Sequence, residues 1–336
     1  MNITVLLGGA SSERDVSLAS GIRVVDALRS NGHRVTAVDP ATGVLNAVAE
    51  QQLRDTTVRR APPSPEELAE LSRSGRQEFA PAIAEMPEIR TADVVFIGLH
   101  GGRGEDGTLQ ALLDLAGVPY TGSGHLASAL AMDKDLSKIL FRAAGVGTAD
   151  WMMAPADAEA VKARLGFPVV VKPSKQGSTV GLTVVREPAG LQPAITEAFR
   201  YDDEVMIEAF IPGRELTVGV LGDEALPVGE IFPVHELYDY ECKYTAGMAR
   251  EEFPARLTAA ETSMLQDMAL RAFRSLKLRG YARIDFRFTE SGGAFCLEAN
   301  TLPGVTGTSL IPQAAAARGM SFPQLCERIV QLAKPA

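Results

Sequence analysis

Two carboxylates face each other in a β-hairpin that the sequence predicts over residues 283–300. This stretch reads RIDFRFTESGGAFCLEAN, and its Ser291-Gly292 step predicts a two-residue turn, because glycine tolerates the positive φ of tight hairpins. The turn would place Asp285 directly opposite Glu298. Carboxylates in that position repel each other and destabilise a sheet, so the pair predicts a cation between them.

The same register pairs Arg283 with Asn300 and Arg287 with Cys296. Since side chains alternate along a strand, these residues share the face of the two carboxylates. The opposite face is apolar and consists of Ile284, Phe286, Phe288, Phe295, Leu297 and Ala299. Hard oxygen ligands favour Mg²⁺, which bridges carboxylates to substrate phosphates. The alternative is an ordinary solvated face on which the two arginines neutralise the acids.

A glycine-rich loop in PVVVKPSKQGSTVG is the second candidate for chemistry. Lys172 lies near the end of a predicted strand, and Gly177 and Gly181 flank Ser178 and Thr179. Successive backbone N–H groups in such a loop form an anion-binding concavity, to which Lys172 adds a positive charge. A plain hairpin with a solvated lysine is the alternative. The loop and the paired carboxylates together predict a nucleotide site.

These residues must be positioned by two different kinds of structure. Up to residue 122, strands predicted at 3–7, 35–38 and 94–99 alternate with helices at 17–30 and from Asp106, as N-cap, to Gly117. This pattern predicts an α/β fold with a doubly wound parallel sheet, which binds ligands at the carboxyl ends of its strands. Later residues predict a helix at 126–144, antiparallel strands, a helix at 259–276 and a final amphipathic helix. Three domains are predicted, at 1–122, 123–212 and 213–336.

Composition excludes several classes of function. The chain of 336 residues carries a net charge of −9 and has no basic run, which argues against nucleic-acid or anionic-membrane partners. We expect no signal peptide and no membrane span, since no run of about 20 apolar residues occurs. Cys242, Cys296 and Cys326 show no metal-ligand spacing, so free thiols in the cytoplasm are expected.

Eight segments, taken in order, make a resemblance specific: the chain resembles the D-alanine–D-alanine ligases of the ATP-grasp superfamily. The segments are LGGASSERDVSLASG, HGGRGEDG, YTGSGHLASALAMDK, VKPSKQGSTVG, GRELTVGVLG, YDYECKY, ARIDF and EANTLPGVTGTSLIP. The resemblance implies two ATP-grasp domains that sandwich ATP. It also implies phosphorylation of one D-alanine, attack by a second, and release of ADP and phosphate. The product would serve peptidoglycan precursors, and the enzyme would be a cytoplasmic homodimer.

The resemblance assigns residues to the nucleotide and the metal. ATP would contact Lys134, Lys172, Ser178, Glu208, Phe210, Ile211, Glu215 and Lys243. Two Mg²⁺ ions, for which Mn²⁺ can substitute, would bind Asp285, Glu298 and Asn300.

The resemblance also assigns residues to the two D-alanines. Glu13 would bind the first ammonium, and His100 would contact substrate; a solvated glutamate and a packing histidine are the alternatives. Arg283 and the N–H of Gly304 would stabilise the oxyanion, and Ser309 and the N–H of Leu310 would bind the second carboxylate. Glu13, Ser178 and Tyr244 would form a triad beneath a loop that closes with Lys243 and excludes water.

The chain departs from the family at few positions. Cys242 replaces a usual alanine, Ala209 replaces a usual lysine or glutamate, and residues 58–90 are variable. A ligase that uses D-lactate or D-serine is the nearest rival, but the intact Lys243-Tyr244 pair favours D-alanine. A non-catalytic nucleotide-binding protein is a second rival. A dehydrogenase ranks last, because the GGASSER loop lacks G-x-G-x-x-G.

Overall fold

A computed structural model describes residues 1–54, 58–59, 64, 66–67, 70, 82–245, 247–307 and 309–333. The strands are β1 Asn2–Leu6, β2 Arg34–Asp39, β3 Gly43–Val44, β4 Val94–Ile97, β5 Trp151–Met153, β6 Val169–Pro173, β7 Thr183–Val185, β8 Val205–Ala209, β9 Arg214–Leu221, β10 Glu224–Ala225, β11 Gly229–Pro233, β12 Ala249–Glu252, β13 Tyr281–Phe288 and β14 Ala294–Asn300. The helices are α1 Arg14–Ser30, α2 Ala47–Arg54, α3 Ala82–Glu85, α4 Pro87–Arg90, α5 Gly102–Glu105, α6 Thr108–Ala116, α7 His125–Met132, α8 Lys134–Ala143, α9 Ala158–Arg164, α10 Leu191–Ala198, α11 Tyr240–Tyr244, α12 Ala259–Ser275, α13 Leu310–Ala317 and α14 Phe322–Gln331, with a 3₁₀ turn at Pro188–Gly190. Of the family-variable residues 58–90, residues 60–63, 65, 68–69 and 71–81 lie outside the described residues.

The first sheet has the order β3-β2-β1-β4, and β1 pairs in parallel with both β2 and β4. The strands are apolar because both faces are covered, as in doubly wound folds, and β4 is buried at every position. The predicted parallel sheet is confirmed. Helix α1 begins one turn earlier than predicted, with Glu13 as its N-cap. The predicted N-cap Asp106 is wrong by one residue: Gly107 caps α6, and the Asp106 carboxylate accepts the Thr108 N–H at 2.8 Å.

The second sheet has the order β5-β8-β6-β7 and is antiparallel throughout. Alternation sorts its residues between two faces. Val169, Val171 and Ile207 point toward α10 and form a small apolar core with it. The valines of β6 contribute much of this core. Lys172 and Glu208 therefore share the other face, where they line a cleft. The predicted pair of antiparallel strands around the glycine-rich loop is confirmed.

The third sheet has the order β12-β11-β9-β13-β14, and β10 adds to the end of β9. One face packs against α12 through Leu216, Val218, Ile284 and Phe286, all fully buried. The opposite face carries polar residues in register: Asp285 lies opposite Thr217, and Arg287 lies opposite Glu215. This face forms the floor of the cleft.

The hairpin β13–β14 has the predicted carboxylate pair but a different turn. Asp285 lies opposite Glu298, as expected, and Arg283 lies opposite Asn300. The turn is longer than predicted, because Thr289 N–H bonds to Gly293 O and residues 290–292 form the loop. A bulge after Asp285 restores the register toward the strand ends.

The predicted pairing of Arg287 with Cys296 is therefore wrong. Phe295 lies opposite Arg287, and Cys296 lies opposite Phe286, where it joins the buried core. The extra residue of the bulge, Leu297, leaves the predicted apolar face and lines the cleft.

The helix predicted over 126–144 is two helices, α7 and α8, which meet at Asp133. Asp133 has an extended ψ of 103°, and its carboxylate accepts the Leu136 N–H at 3.0 Å as the cap of α8. Both helices pack on the third sheet: Ala131 and Phe141 belong to the cluster that contains Ile284. Within the described residues, no helix is long and apolar enough to cross a membrane.

Candidate active site

The second and third sheets enclose a cavity of about 120 Å³, lined by Lys172, Glu208, Glu215 and Glu298 among others. A larger cleft of about 830 Å³ adjoins it and extends past Glu13, His100 and Ser309. Lys134, Ser178, Lys243 and Glu298 line both. The structure thus brings the predicted nucleotide and substrate residues to one continuous depression.

The carboxylates of the floor are held by charged neighbours. Arg283 donates to both oxygens of Asp285, at 2.9 and 2.8 Å, and Thr217 donates to Asp285 at 2.7 Å. Lys134 Nζ lies 3.3 Å from Glu298. Burial opposes ionisation of Glu298, but Lys134, Lys243 and Lys172 outweigh it and lower its pKa to about 2. Glu298 is therefore ionised at every physiological pH.

The oxygen set of the floor fits a hard divalent cation. Among the described residues, the buried Oδ1 of Asn300 accepts no hydrogen bond, which is costly for an amide oxygen. Asn300 lies beside Glu298 on the same face of β14, opposite Arg283. An orphaned amide oxygen next to two carboxylates is the donor set that Mg²⁺ takes. The expectation that an arginine neutralises the acids is also met in part, since Arg283 pairs with Asp285.

Two lysines extend from neighbouring elements over this floor. Lys134, the first residue of α8, donates to Gln176 O at 2.8 Å. Lys172, in β6, donates to Glu208 Oε2 at 2.7 Å. Their side chains are 8% and 10% exposed, so both remain accessible from the cleft. The pair could hold the oxygens of a phosphate above Glu298.

The predicted nucleotide residues follow the second and third sheets. Glu208 is fully enclosed, and its carboxylate contacts Lys172 and Lys138. Burial opposes ionisation of Glu208, but the two lysines lower its pKa to about 2. Burial raises the pKa of Glu215 despite a contact of 3.2 Å with Arg287.

Phe210 and Ile211 follow β8 and line the cavity edge, and their contact with ATP stays a prediction. Arg287 Nε donates to Ile211 O at 3.1 Å and so fixes the backbone that borders the cavity. Sequence reasoning missed this role, because Ile211 lies 76 positions away from Arg287 along the chain.

Glu13, Ser178 and Tyr244 meet from three distant parts of the chain. Ser178 Oγ donates to Glu13 Oε1 at 2.5 Å, and Tyr244 Oη donates to the same oxygen at 3.1 Å. The Ser178 and Tyr244 oxygens are 3.3 Å apart. Ser178 and Thr179 both have positive φ, 52° and 59°, a strained conformation that functional loops often retain. Burial, and then the charge of Glu13, raises the pKa of Tyr244 well above its usual value, so the hydroxyl stays protonated.

The segment around α11 covers the cleft. Tyr240 N–H donates to Thr179 Oγ1 at 3.1 Å, and Asp239 caps α11 through the Cys242 N–H at 2.9 Å. Cys242 packs in a small cluster with Ile231, Tyr238 and Leu310, as expected for a small apolar side chain. Lys243 lines both cavities, with its Nζ 5.5 Å from the Tyr238 ring centroid.

His100 is buried, and both of its ring nitrogens have protein partners. Nδ1 lies 2.8 Å from Leu302 O and must donate to it, so Nε2 accepts from Ser20 Oγ at 2.8 Å. Burial lowers the pKa of His100, which favours this neutral form. Glu105 accepts the N–H of Leu302 at 3.3 Å and that of Gly101 at 2.9 Å. Sequence reasoning missed Glu105, whose pKa burial raises to about 7.

Ser309 and Leu310 begin α13, as predicted, with Ser309 as N-cap. The Ser309 hydroxyl accepts the Thr306 N–H at 3.1 Å. Gly304 lies beside it: a Cβ built on Gly304 would lie 3.0 Å from Ser309 Oγ. Any larger residue at 304 would therefore crowd this end of the cleft.

A cleft between two antiparallel sheets, with lysines above paired carboxylates, is the arrangement of an ATP-grasp ligase. The chain matches family models described as D-ala D-ala ligase N-terminus over residues 2–123 and D-ala D-ala ligase C-terminus over residues 139–331. It belongs to the D-alanine–D-alanine ligase family. The family and fold expected from the eight segments are confirmed.

Relatives resemble the chain over nearly their whole length. The D-alanine–D-alanine ligase of Citrifermentans bemidjiense is 42% identical, with 98% of this chain and 95% of that protein covered. The ligase of Nitratidesulfovibrio vulgaris strain DP4 is 43% identical, with 100% and 99% covered.

Solved structures give the same result. The D-alanine–D-alanine ligase of Coxiella burnetii superposes with a TM-score of 0.80 at 30% identity, covering 98% and 92% of the two chains. The Bacillus anthracis ligase complexed with ATP superposes with a TM-score of 0.73 at 28% identity, covering 99% and 96%.

Proposed function

We infer that this chain joins two D-alanine molecules at the expense of ATP and releases ADP and phosphate. The observation that carries this inference is the meeting of Glu13, Ser178 and Tyr244 in the cleft that the β14 carboxylate Glu298 also lines. The carboxylate of Glu13, which would bind the ammonium group of the first D-alanine, thus lies in the same cleft as Lys134 and Glu298. The dipeptide would serve peptidoglycan precursors, as the family resemblance implies.

In the first half-reaction, the carboxylate of the first D-alanine attacks the γ-phosphorus of ATP and becomes a D-alanyl phosphate. Glu13 holds the ammonium of that D-alanine, and Lys134 and Lys172 hold phosphate oxygens. Positioning and charge stabilisation are sufficient for this step, as in phosphoryl transfer generally. Phe210 and Ile211 border the adenine, and Glu215 holds the ribose hydroxyls.

In the second half-reaction, the deprotonated amine of the second D-alanine attacks the acyl carbon and forms a tetrahedral intermediate, which collapses to the dipeptide as the C–O bond to phosphate breaks and phosphate leaves. Arg283 and the Gly304 N–H face the developing oxyanion. Stabilisation of this charge is usually the largest single contribution to the catalysis of acyl transfer. Ser309 and the Leu310 N–H, at the start of α13, bind the second carboxylate, since a helix N-terminus attracts anions. Direct contact of His100 with substrate stays a prediction.

Asp285, Glu298 and Asn300 would hold two Mg²⁺ ions. Bound there, Mg²⁺ supplies positive charge that offsets the phosphate oxygens. The free Oδ1 of Asn300 and the ionised Glu298 support this proposal. Lys243, Tyr244 and the α11 segment exclude water from the acyl phosphate, which would otherwise hydrolyse.

The second substrate is tested by phosphate release from ATP and Mg²⁺ across D- and L-amino acids and D-lactate at neutral pH. We expect turnover with D-alanine and none with L-alanine, with dipeptide formed in equal amount to phosphate. Faster turnover with D-lactate or D-serine as acceptor would assign the chain to the rival ligases. Nucleotide binding without any turnover would favour the non-catalytic reading.

Other parts of the proposal concern organisation. We propose domains at 1–122, 123–212 and 213–336; each contains one of the three sheets, although α7 and α8 pack on the third. We also propose a cytoplasmic homodimer. All three cysteines are free and buried, which suits a reducing compartment. Light scattering after gel filtration would test the dimer, and a single-chain mass would contradict it.

A further inference from the structure

Lys138 is a fully buried lysine that no predicted function uses. It lies one helical turn after Lys134 on α8, so both side chains point to the same side of that helix. The Lys138 side chain is 0% exposed. Its ammonium contacts Glu208 Oε1, donates to Thr148 Oγ1 at 2.5 Å and lies 5.1 Å from the centroid of the Trp151 ring. A buried ammonium persists only with partners of this kind.

Glu208 is shared between two lysines that differ in access. Oε1 contacts Lys138, and Oε2 accepts from Lys172 at 2.7 Å. Lys172 lines the nucleotide cavity, whereas Lys138 lies behind Glu208 and does not line it. Only Lys172 can therefore turn toward a ligand.

The charges explain why two lysines are needed. When Lys172 moves to a phosphate, it leaves Glu208, whose side chain is 3% exposed. A buried carboxylate that loses its cation is strongly destabilised. Lys138 prevents this, because it remains paired with Glu208 whether or not a nucleotide is present.

We propose that Lys138 is the permanent counter-ion of Glu208, and that it thereby releases Lys172 to bind the phosphates of ATP. Lys138 acts through Glu208 and Lys172, so it is a positioning residue. The proposal rests on the assignment of this cavity to ATP in the proposed function.

A second contact connects Lys138 to β14, the strand that carries the predicted metal ligands Glu298 and Asn300. Thr148 Oγ1, which accepts from Lys138, donates to Cys296 O at 2.7 Å. Cys296 lies next to the bulge that leads to Glu298. The ammonium thus supports both the phosphate lysine and the strand that carries the carboxylates.

The test compares Lys138→Met with the double variant Lys138→Met/Glu208→Gln. Methionine keeps most of the side-chain volume without the charge. In the single variant, Glu208 would hold Lys172 as its sole cation, so we expect KM and Kd for ATP to rise at least tenfold. KM for D-alanine should change less than twofold. In the double variant no carboxylate retains Lys172, so the loss of Lys138 should cost nothing further. Its Kd for ATP should equal that of Glu208→Gln alone, in which any direct contact of Glu208 with ATP is already lost.

Lys162→Met is the matched control, since Lys162 lies exposed on α9 and should leave ATP binding unchanged. Lys138→Arg should retain most of the affinity, because it keeps the charge. An unchanged Kd for ATP in Lys138→Met would overturn the proposal, and so would a double variant that binds ATP more weakly than Glu208→Gln. If Lys138→Met does not fold, the double variant compared with Glu208→Gln decides, and loss of ATP affinity beyond that of Glu208→Gln contradicts the proposal.

Direct measurement of ATP binding separates this proposal from the proposed function. Calorimetry with ATP and Mg²⁺, without any amino acid, measures nucleotide binding independently of the ligation reaction. A wild-type protein that binds ATP but makes no D-alanine dipeptide would refute the ligase assignment and leave the role of Lys138 testable.

Discussion

The Tyr244→Phe substitution removes one hydroxyl from the contact among Glu13, Ser178 and Tyr244. This contact joins the segment around α11, called the cover below, to the substrate cleft. Tyr244 Oη donates to Glu13 at 3.1 Å, and a hydrogen bond to a charged group is worth roughly 1.5–3 kcal/mol. The lower end applies here, because Ser178 still donates to the same Glu13 oxygen at 2.5 Å.

A loss of about 1.4 kcal/mol is a factor of ten, so we expect kcat/KM for D-alanine to fall roughly tenfold. Because the cover excludes water, the variant should also release more phosphate than dipeptide. Coupled assays of ADP, phosphate and dipeptide measure both effects. The excess of phosphate is the distinctive readout, since a general loss of stability would not produce it.

Tyr240→Phe is the matched control. Tyr240 lies on the same short helix α11 and contacts the Tyr244 ring at a centroid distance of 4.7 Å, but it anchors the cover through its backbone N–H. We expect wild-type coupling in this variant. Unchanged kcat/KM and coupling in Tyr244→Phe would refute the reasoning, and equal losses in both variants would assign the effect to aromatic packing.

Three further outcomes are expected. Glu298→Gln should abolish dipeptide formation with little change in melting temperature, and near-normal activity would contradict the metal assignment. Arg283→Lys keeps the charge but loses the fork that holds Asp285, so turnover should fall about a hundredfold or more; a smaller loss would limit Arg283 to charge balance. The pKa of Glu105 rises to about 7 in the folded protein, so the unfolded chain loses this proton first as pH increases. As pH rises from about 4.5 to 7, the free energy of unfolding of the wild-type protein should therefore fall relative to that of Glu105→Gln. A difference in melting temperature between the two proteins that stays constant at pH 5, 6 and 8 would contradict this.

Features with a local cause could be predicted from the sequence. The apolar run of β4 predicts a strand buried on both faces, and the alternation in β13 places Asp285 opposite Glu298. The pairing of these two acids depends only on strand period and an approximate turn.

The bulge in β14 could not be predicted, because its cause is not local. Cys296 and Leu297 are both apolar, so alternation alone does not show which of them enters the core. The longer loop after Thr289 moves the register by one residue, and the bulge at Leu297 compensates. Only the packing of the finished sheet selects this arrangement.

Lys138 shows the same limit for charged residues. In the segment KDLSKILF it has the spacing of a solvated helix residue, and its partner Glu208 lies 70 positions away. Glu105 was missed for a similar reason, because the backbone of Leu302, far along the chain, is what holds it. Long-range contacts of this kind decide which charges are buried.

Strand β13 is flanked by hydrogen-bonded neighbours on both sides, β9 and β14. Its amide protons therefore exchange with solvent only when the third sheet opens as a whole, whereas the cover is attached by a few side-chain contacts and opens locally. In one site, therefore, the free energy needed to open the sheet is larger than the free energy needed to open the cover. In hydrogen–deuterium exchange, the peptide that spans residues 283–287 should remain protected for as long as the protein is folded, while exchange in residues 238–245 should slow only when ATP and D-alanine hold the cover closed.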